Sequence, residues 1–216
     1  MENYHKDFLN IVANIDKCQK PKLLLHVCCA PCSSHCLEVV EPFFDVTVFF
    51  YNPNISPKTE YDKRLLEEQE FVKIAHPNVK VVEAEYDSQS FFDIAKGLEN
   101  LPEGGERCHK CYELRLKKTA QFARDNNFDF FTTTLTVSPY KNSQVLNEIG
   151  ANVAKQYGVK YLFSDFKKQN GYLHSIELSH KYNLYRQNYC GCIYSKIARE
   201  KFEKAKEQTQ QSKLGA

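Results

Sequence analysis

The chain has 216 residues with 42% hydrophobic and 26% charged side chains, 8 Gly and 8 Pro, the composition of an ordered globular protein with core enough to fold without disulfides. Its 29 Lys and Arg against 27 Asp and Glu leave +2, so affinity for a polyanion must come from local patches and not from total charge. Disordered, collagen-like and low-complexity classes are excluded, and 9 Cys stand out.

Charges at Glu2, Lys6, Asp7, Asp16 and Lys17 leave no apolar stretch for a signal peptide. The longest apolar runs, Leu23 to Val27 and Val46 to Tyr51, are of strand length, far short of the roughly 20 residues of a membrane span. A cytoplasmic protein with no membrane partner is expected. In that reducing compartment, clustered cysteines point to metal binding or redox chemistry before structural disulfides.

Apolar runs followed by helical patterns recur along the chain. Lys22 to Val27 precedes a helix over Ser33 to Val40, delayed by Pro31. Asp45 to Tyr51 precedes one over Thr59 to Ala75, capped by Thr59, with Leu65, Leu66, Phe71 and Ile74 on one face. Val79 to Ala84 leads to a helix capped by Ser88 and reaching Leu98. An added helix, His109 to Asn127, comes before the strand Asp129 to Thr134, which is followed by a helix over Asn142 to Tyr157 and a strand over Val159 to Phe163. Two helices are expected in the last quarter, with a frayed tail from Gln208. Nothing divides the chain, so one domain over 1–216 is expected, its core about 20–165 and its helical extension about 166–208. Alternating strands and helices predict an α/β fold with a mostly parallel sheet covered on both faces.

Ligands of such sheets bind beyond the carboxyl ends of the strands. There the chain places Cys28-Cys29-Ala30-Pro31-Cys32, Tyr51-Asn52-Pro53-Asn54, and Thr134 through Ser138, Tyr140 and Lys141. Cys108-His109-Lys110-Cys111 opens a helix, where amides and dipole favour thiolate. Cys28, Cys29, Cys108 and Cys111 together supply four thiolates, the count for a tetrahedral Zn²⁺ or a [4Fe-4S] cluster. Adjacent ligands suit the cluster better, but the spacing leaves both open. Cys190-Gly191-Cys192 is a separate pair that can close into a labile disulfide. Cys32 can reach a second metal at the cluster's edge, and Cys36 reads as core. Arg107, Lys110, Arg115, Lys117 and Lys118, and then Lys181, Tyr182, Tyr185, Arg186 and Tyr189, are candidate RNA-facing groups. An Fe-S enzyme, a thiol-disulfide oxidoreductase and a zinc-stabilised RNA-binding module all compete on these residues.

Taken with Leu25-His26-Val27, Tyr51-Asn52-Pro53-Asn54-Ile55, Ser138-Pro139-Tyr140-Lys141 and Tyr189, these cysteine groups resemble, in order, those of the cobalamin-independent, QueH-type epoxyqueuosine reductases over about residues 20 to 200. The resemblance implies a three-layer sheet of the adenine nucleotide α-hydrolase (HUP-like) group with added C-terminal helices. Where ATP-using members of that group carry a Gly-rich phosphate loop, this chain has Cys28 to Cys32, so ATP binding is not expected. It also implies reduction of epoxyqueuosine to queuosine at the wobble position of tRNA by an Fe-S-dependent oxidoreductase. The [4Fe-4S] cluster would sit on Cys28, Cys29, Cys108 and Cys111, with an adjacent second metal for which Cys32 is a candidate. Cys190 and Cys192 would form the redox-active pair, with electrons from an unidentified partner; from their place on strand-end loops and in the aromatic-basic stretch, Asn52, Ser138, Tyr140, Lys141, Tyr185 and Arg186 are the expected substrate contacts.

Overall fold

The computed structural model describes residues 3–16 and 18–214. At its centre is a five-stranded, all-parallel sheet in the order β3-β2-β1-β4-β5, formed by β1 (Lys22–His26), β2 (Asp45–Phe50), β3 (Lys80–Glu83), β4 (Phe130–Thr133) and β5 (Lys160–Tyr161). Leu25 of the central strand pairs with Val48 on one side and Thr132 on the other. Strand alternation then assigns residues to layers. Leu23, Leu25, Val46 and Val48 pack with Phe8, Leu37, Val40 and Phe71, from α1 (Tyr4–Ala13), α2 (Ala30–Val40) and α3 (Lys58–Ala75). Leu24, Phe49 and Phe131 point the other way, onto Leu116, Ala120 and Val153, from α5 (Glu106–Asp125) and α6 (Ser143–Tyr157). Near these layers, α4 (Ser88–Ala95) contacts α5 and α7 (Gly171–Lys181) contacts α2, while α8 (Ile193–Leu214) closes the chain. This is the three-layer α/β arrangement anticipated.

Several details differ. Pro31 does not delay the second helix: α2 starts at Ala30, and the ring sits in the first turn, where a missing N–H forfeits no hydrogen bond. Ser33 and Ser34 therefore donate back to the carbonyls of Ala30 and Pro31 and do not cap. α3 starts at Lys58 with Pro57 at the cap position, and of its four apolar positions Leu65 and Phe71 are buried while Leu66 and Ile74 are 56% and 73% exposed. The buried stripe instead mixes Tyr61, Arg64 and Glu68 with apolar residues. Asp87, not Ser88, caps α4, which stops at Ala95. β5 is two residues long, although Leu162 still donates to the Phe131 carbonyl. α1 adds a helix through buried Tyr4, Phe8 and Val12, and the tail does not fray at Gln208, since α8 continues to Leu214.

Candidate redox site at the strand ends

Beyond β1 the chain turns directly into α2, and this places three thiols together. Cys29 is the extended N-cap of α2, and the Sγ atoms of Cys28, Cys29 and Cys32 all lie within 4.8 Å of one another. Cys28 and Cys29 are 3.7 Å apart at sulfur. Hydrogen bonds from Cys29 and then Cys32 outweigh burial to hold the Cys28 thiol well below its usual range, assisted by Arg115 and Lys141. Donation to Cys28 is also the main reason why Cys29 is pushed up to about 12. The group thus holds one thiolate readily and resists a second.

The CxxC reaches the same region from α5. Cys108, Cys111 and Arg115 fall on one helix face by their spacing of three and four. Cys108 accepts a hydrogen bond from the Gly104 amide at 3.3 Å and packs against the apolar cluster to which Cys28, Cys29, Tyr112 and Leu135 belong. Deeper in, Cys111 shares an apolar cluster with Cys192, Phe91 and Ala95, where burial pushes its thiol up to about 12.

The CxC loop is clamped over these groups. Ser56 donates its amide to the Gly191 carbonyl at 3.0 Å, and Arg64 Nη1 donates to the Cys190 carbonyl at 3.3 Å. Gly191 has φ +122°, and a Cβ there would lie 3.1 Å from both Arg64 Nη1 and Ile55 Cγ1. The positive φ favours glycine between the two cysteines, and a side chain there would also make Arg64 and Ile55 give by a few tenths of an ångström.

A cavity of about 520 Å³ opens here, with Cys28, Cys29, Cys32 and Cys190 in its wall beside Arg64 and Lys141. Arg115 stands behind it, 1% exposed, donating to His26 Nε2 at 3.2 Å and to Asn52 Oδ1 at 2.6 Å. It pairs with no carboxylate among the described residues. Burial opposes its charge, and Cys111, Cys28 and Cys190 reverse that, so its pKa is raised. Lys141 follows the same logic: burial is overturned by Cys190, Tyr112, Cys28 and Cys32. A buried cation with no counter-charge costs several kcal/mol, and for Arg115 the neighbouring anion-forming group is Cys28, the thiol held below its usual range.

Of the substrate candidates, Ser138, Tyr140, Lys141 and Arg186 line the cavity. Asn52 does not: it is buried, donates to the Val27 carbonyl at 2.8 Å and braces Arg115. Tyr185 stands outside the cavity wall with Lys63 Nζ 3.2 Å from its ring centre. The basic stretch beside the CxxC is not an RNA face as a whole, because Arg107 and Arg115 are buried while Lys110 and Lys117 pair with Glu106 and Glu113. Tyr182 packs on Phe71. The residues missed by sequence reasoning are Arg64, Glu68 and Phe202. For the first two a signal existed in the spacing of Glu60, Arg64 and Glu68 by four along α3.

The fold and site define an α/β protein whose parallel sheet presents at its strand ends a thiol cluster that could hold a metal. The chain belongs to the epoxyqueuosine reductase family: the family model described as Epoxyqueuosine reductase QueH matches residues 23–198. It is 48% identical over 180 residues to the Epoxyqueuosine reductase QueH of Streptococcus pyogenes serotype M1, covering 82% of this chain and 71% of that one. With the protein of the same name from Staphylococcus epidermidis it shares 44% identity over 200 residues, 89% and 84% of the two chains. With that of Thermotoga maritima it shares 39% over 181 residues, 82% and 91%. Membership makes it an enzyme of the oxidoreductase class, as the motifs anticipate.

Proposed function

We propose that this chain reduces epoxyqueuosine to queuosine at the wobble position of tRNA. The observation that carries the reading is that Cys28, Cys29, Cys32 and Cys190 line one cavity beside Arg64 and Lys141, with Cys108 packed on the cluster that holds Cys28 and Cys29 and Cys111 clustered with Cys192 behind it. The reading takes the chain as one cytoplasmic domain, its extension carrying the CxC. Removing the epoxide oxygen to leave an alkene consumes two electrons and two protons and releases water. Oxidation of the Cys190 and Cys192 dithiol to a disulfide yields two electrons and two protons, so the two half-reactions balance. An external donor then restores the dithiol.

Cys28, Cys29, Cys108 and Cys111 fit a [4Fe-4S] cluster in donor type, and Arg115 and Lys141, paired with no carboxylate among the described residues, suit its negative charge. When bound, such a cluster supplies single-electron transfer. Cys32, its Sγ within 4.8 Å of both thiols of the pair, is the candidate ligand for a second metal. Within the chain itself, Arg64 fixes the CxC carbonyl, and Lys141 offers a positive charge on the cavity wall where the departing oxygen becomes negative. Anaerobic reconstitution tests the site: about four iron and four sulfide per chain, falling sharply in Cys108→Ser, supports it. A colourless protein holding one zinc contradicts it.

A further inference from the structure

The cavity has a sulfur floor and cationic walls, and its rim is unlike either. Tyr140, on the loop before α6, is 78% exposed, and Phe202, on α8, is 60% exposed, yet both line this one cavity. Large aromatic faces left in water beside a concave site are surfaces awaiting a flat partner. Phe202 also has Arg199 Cζ 5.5 Å from its ring centre, the same guanidinium holding Glu203 at 2.7 Å in an exposed pair that a phosphate would have to displace, and further in Arg186 Cζ stands 5.7 Å from the Tyr172 ring. Aromatic rings interleaved with guanidinium groups at a cavity mouth match single-stranded nucleic acid, whose bases stack and whose phosphates need cations.

Charge agrees. Between residues 196 and 207, α8 carries five Lys and Arg against three Glu, in a chain whose total is +2. Phe202 lies beyond the stretch matched by the family model, which stops at residue 198.

We propose that Phe202 and Tyr140 are stacking platforms for the nucleotides flanking the reacting base, so that α8 selects an RNA loop over a free nucleoside. This deepens the tRNA reading above and rests on it. The modified base would enter the cavity while its splayed neighbours lie on the two rings at the rim.

The test is fluorescence anisotropy of an anticodon stem-loop RNA on the full chain, together with steady-state reduction of tRNA bearing epoxyqueuosine and of the free nucleoside. Base stacking on an aromatic ring contributes about 1–3 kcal/mol by alanine substitution, so Phe202→Ala is expected to weaken stem-loop binding about 5- to 150-fold. The loss should fall on KM for tRNA more than on kcat and lower the preference for tRNA over nucleoside. Phe202→Trp should retain binding and Phe202→Leu should not, because only a π face replaces the lost one. Wild-type affinity in Phe202→Ala and Tyr140→Ala together, or full rescue by Phe202→Leu, would overturn the proposal. Failure of the catalytic reading looks different: the wild type would reduce neither substrate while binding still depended on Phe202.

Discussion

Glu68 offers a sharp test of the chemistry behind the thiol cluster. Its side chain is fully buried, taking one hydrogen bond from Ser33 Oγ at 2.8 Å while its other oxygen has no partner. Burial, opposed by that hydrogen bond and reinforced by Cys28 and Glu67, raises its pKa from 4.5 to about 8. The carboxyl is therefore protonated at neutral pH in the folded chain and ionised in the unfolded one. Because the folded value is the higher, its contribution to stability is complete below pH 4.5 and is lost as pH rises to 8. At one pKa unit per 1.36 kcal/mol, ionisation favours the unfolded chain by about 3 kcal/mol at pH 7 and by about 5 kcal/mol above pH 8. Glu68→Gln keeps the shape and an oxygen for Ser33 but abolishes the titration. Urea unfolding of both proteins between about pH 5 and pH 8.5 measures the difference. The variant should gain on the wild type steadily with pH, by about 3 kcal/mol at neutrality. A difference that does not change with pH would refute the reasoning.

Other outcomes follow from particular contacts. Gly191→Ala meets Arg64 and Ile55 at 3.1 Å with φ +122°, so it should cost about 1–3 kcal/mol in chemical denaturation. An unchanged midpoint would show that the loop is free to move. At Gly150 a Cβ would fall 2.3 Å from Tyr161 Cζ, in the seam between α6 and β5; Gly150→Ala should destabilise by about 3 kcal/mol or more, read from the same curves. Arg115→Gln removes the cation that faces Cys111 and Cys28. Alkylation of the metal-free protein by iodoacetamide at neutral pH should then slow at Cys28, because its thiolate is less favoured, and an unaltered rate would count against Arg115 as the counter-charge.

The layered sheet was readable because five strands alternate with helical segments, and parallel pairing follows from that order alone. What escaped was set by tertiary contact. β5 is cut to two residues although its sequence continues apolar, and α3 buries Arg64 and Glu68 where apolar counting favours Leu66 and Ile74. The cysteines were legible as groups, and Cys28 with Cys29 lies where strand-end logic put them. Cys32 has its sulfur within 4.8 Å of both, because Pro31 sits inside the first turn of α2 and brings the next thiol round. Arg107 and Arg115 read as solvent-facing charge and are buried. Arg107 Nη1 donates to the carbonyls of Leu98, Glu99 and Leu101, and the Arg115 charge is balanced by sulfur, an anion that a count of Asp and Glu does not include.

The most direct measurement is anaerobic turnover of tRNA bearing epoxyqueuosine by the reconstituted chain and by Cys190→Ser, with nucleosides identified by mass spectrometry. The wild type should convert many equivalents to queuosine, each losing one oxygen, while Cys190→Ser stops. Multiple turnovers at the wild-type rate by Cys190→Ser would remove the CxC dithiol from the reaction, and no conversion by the wild type under a strong reductant would contradict the assignment itself.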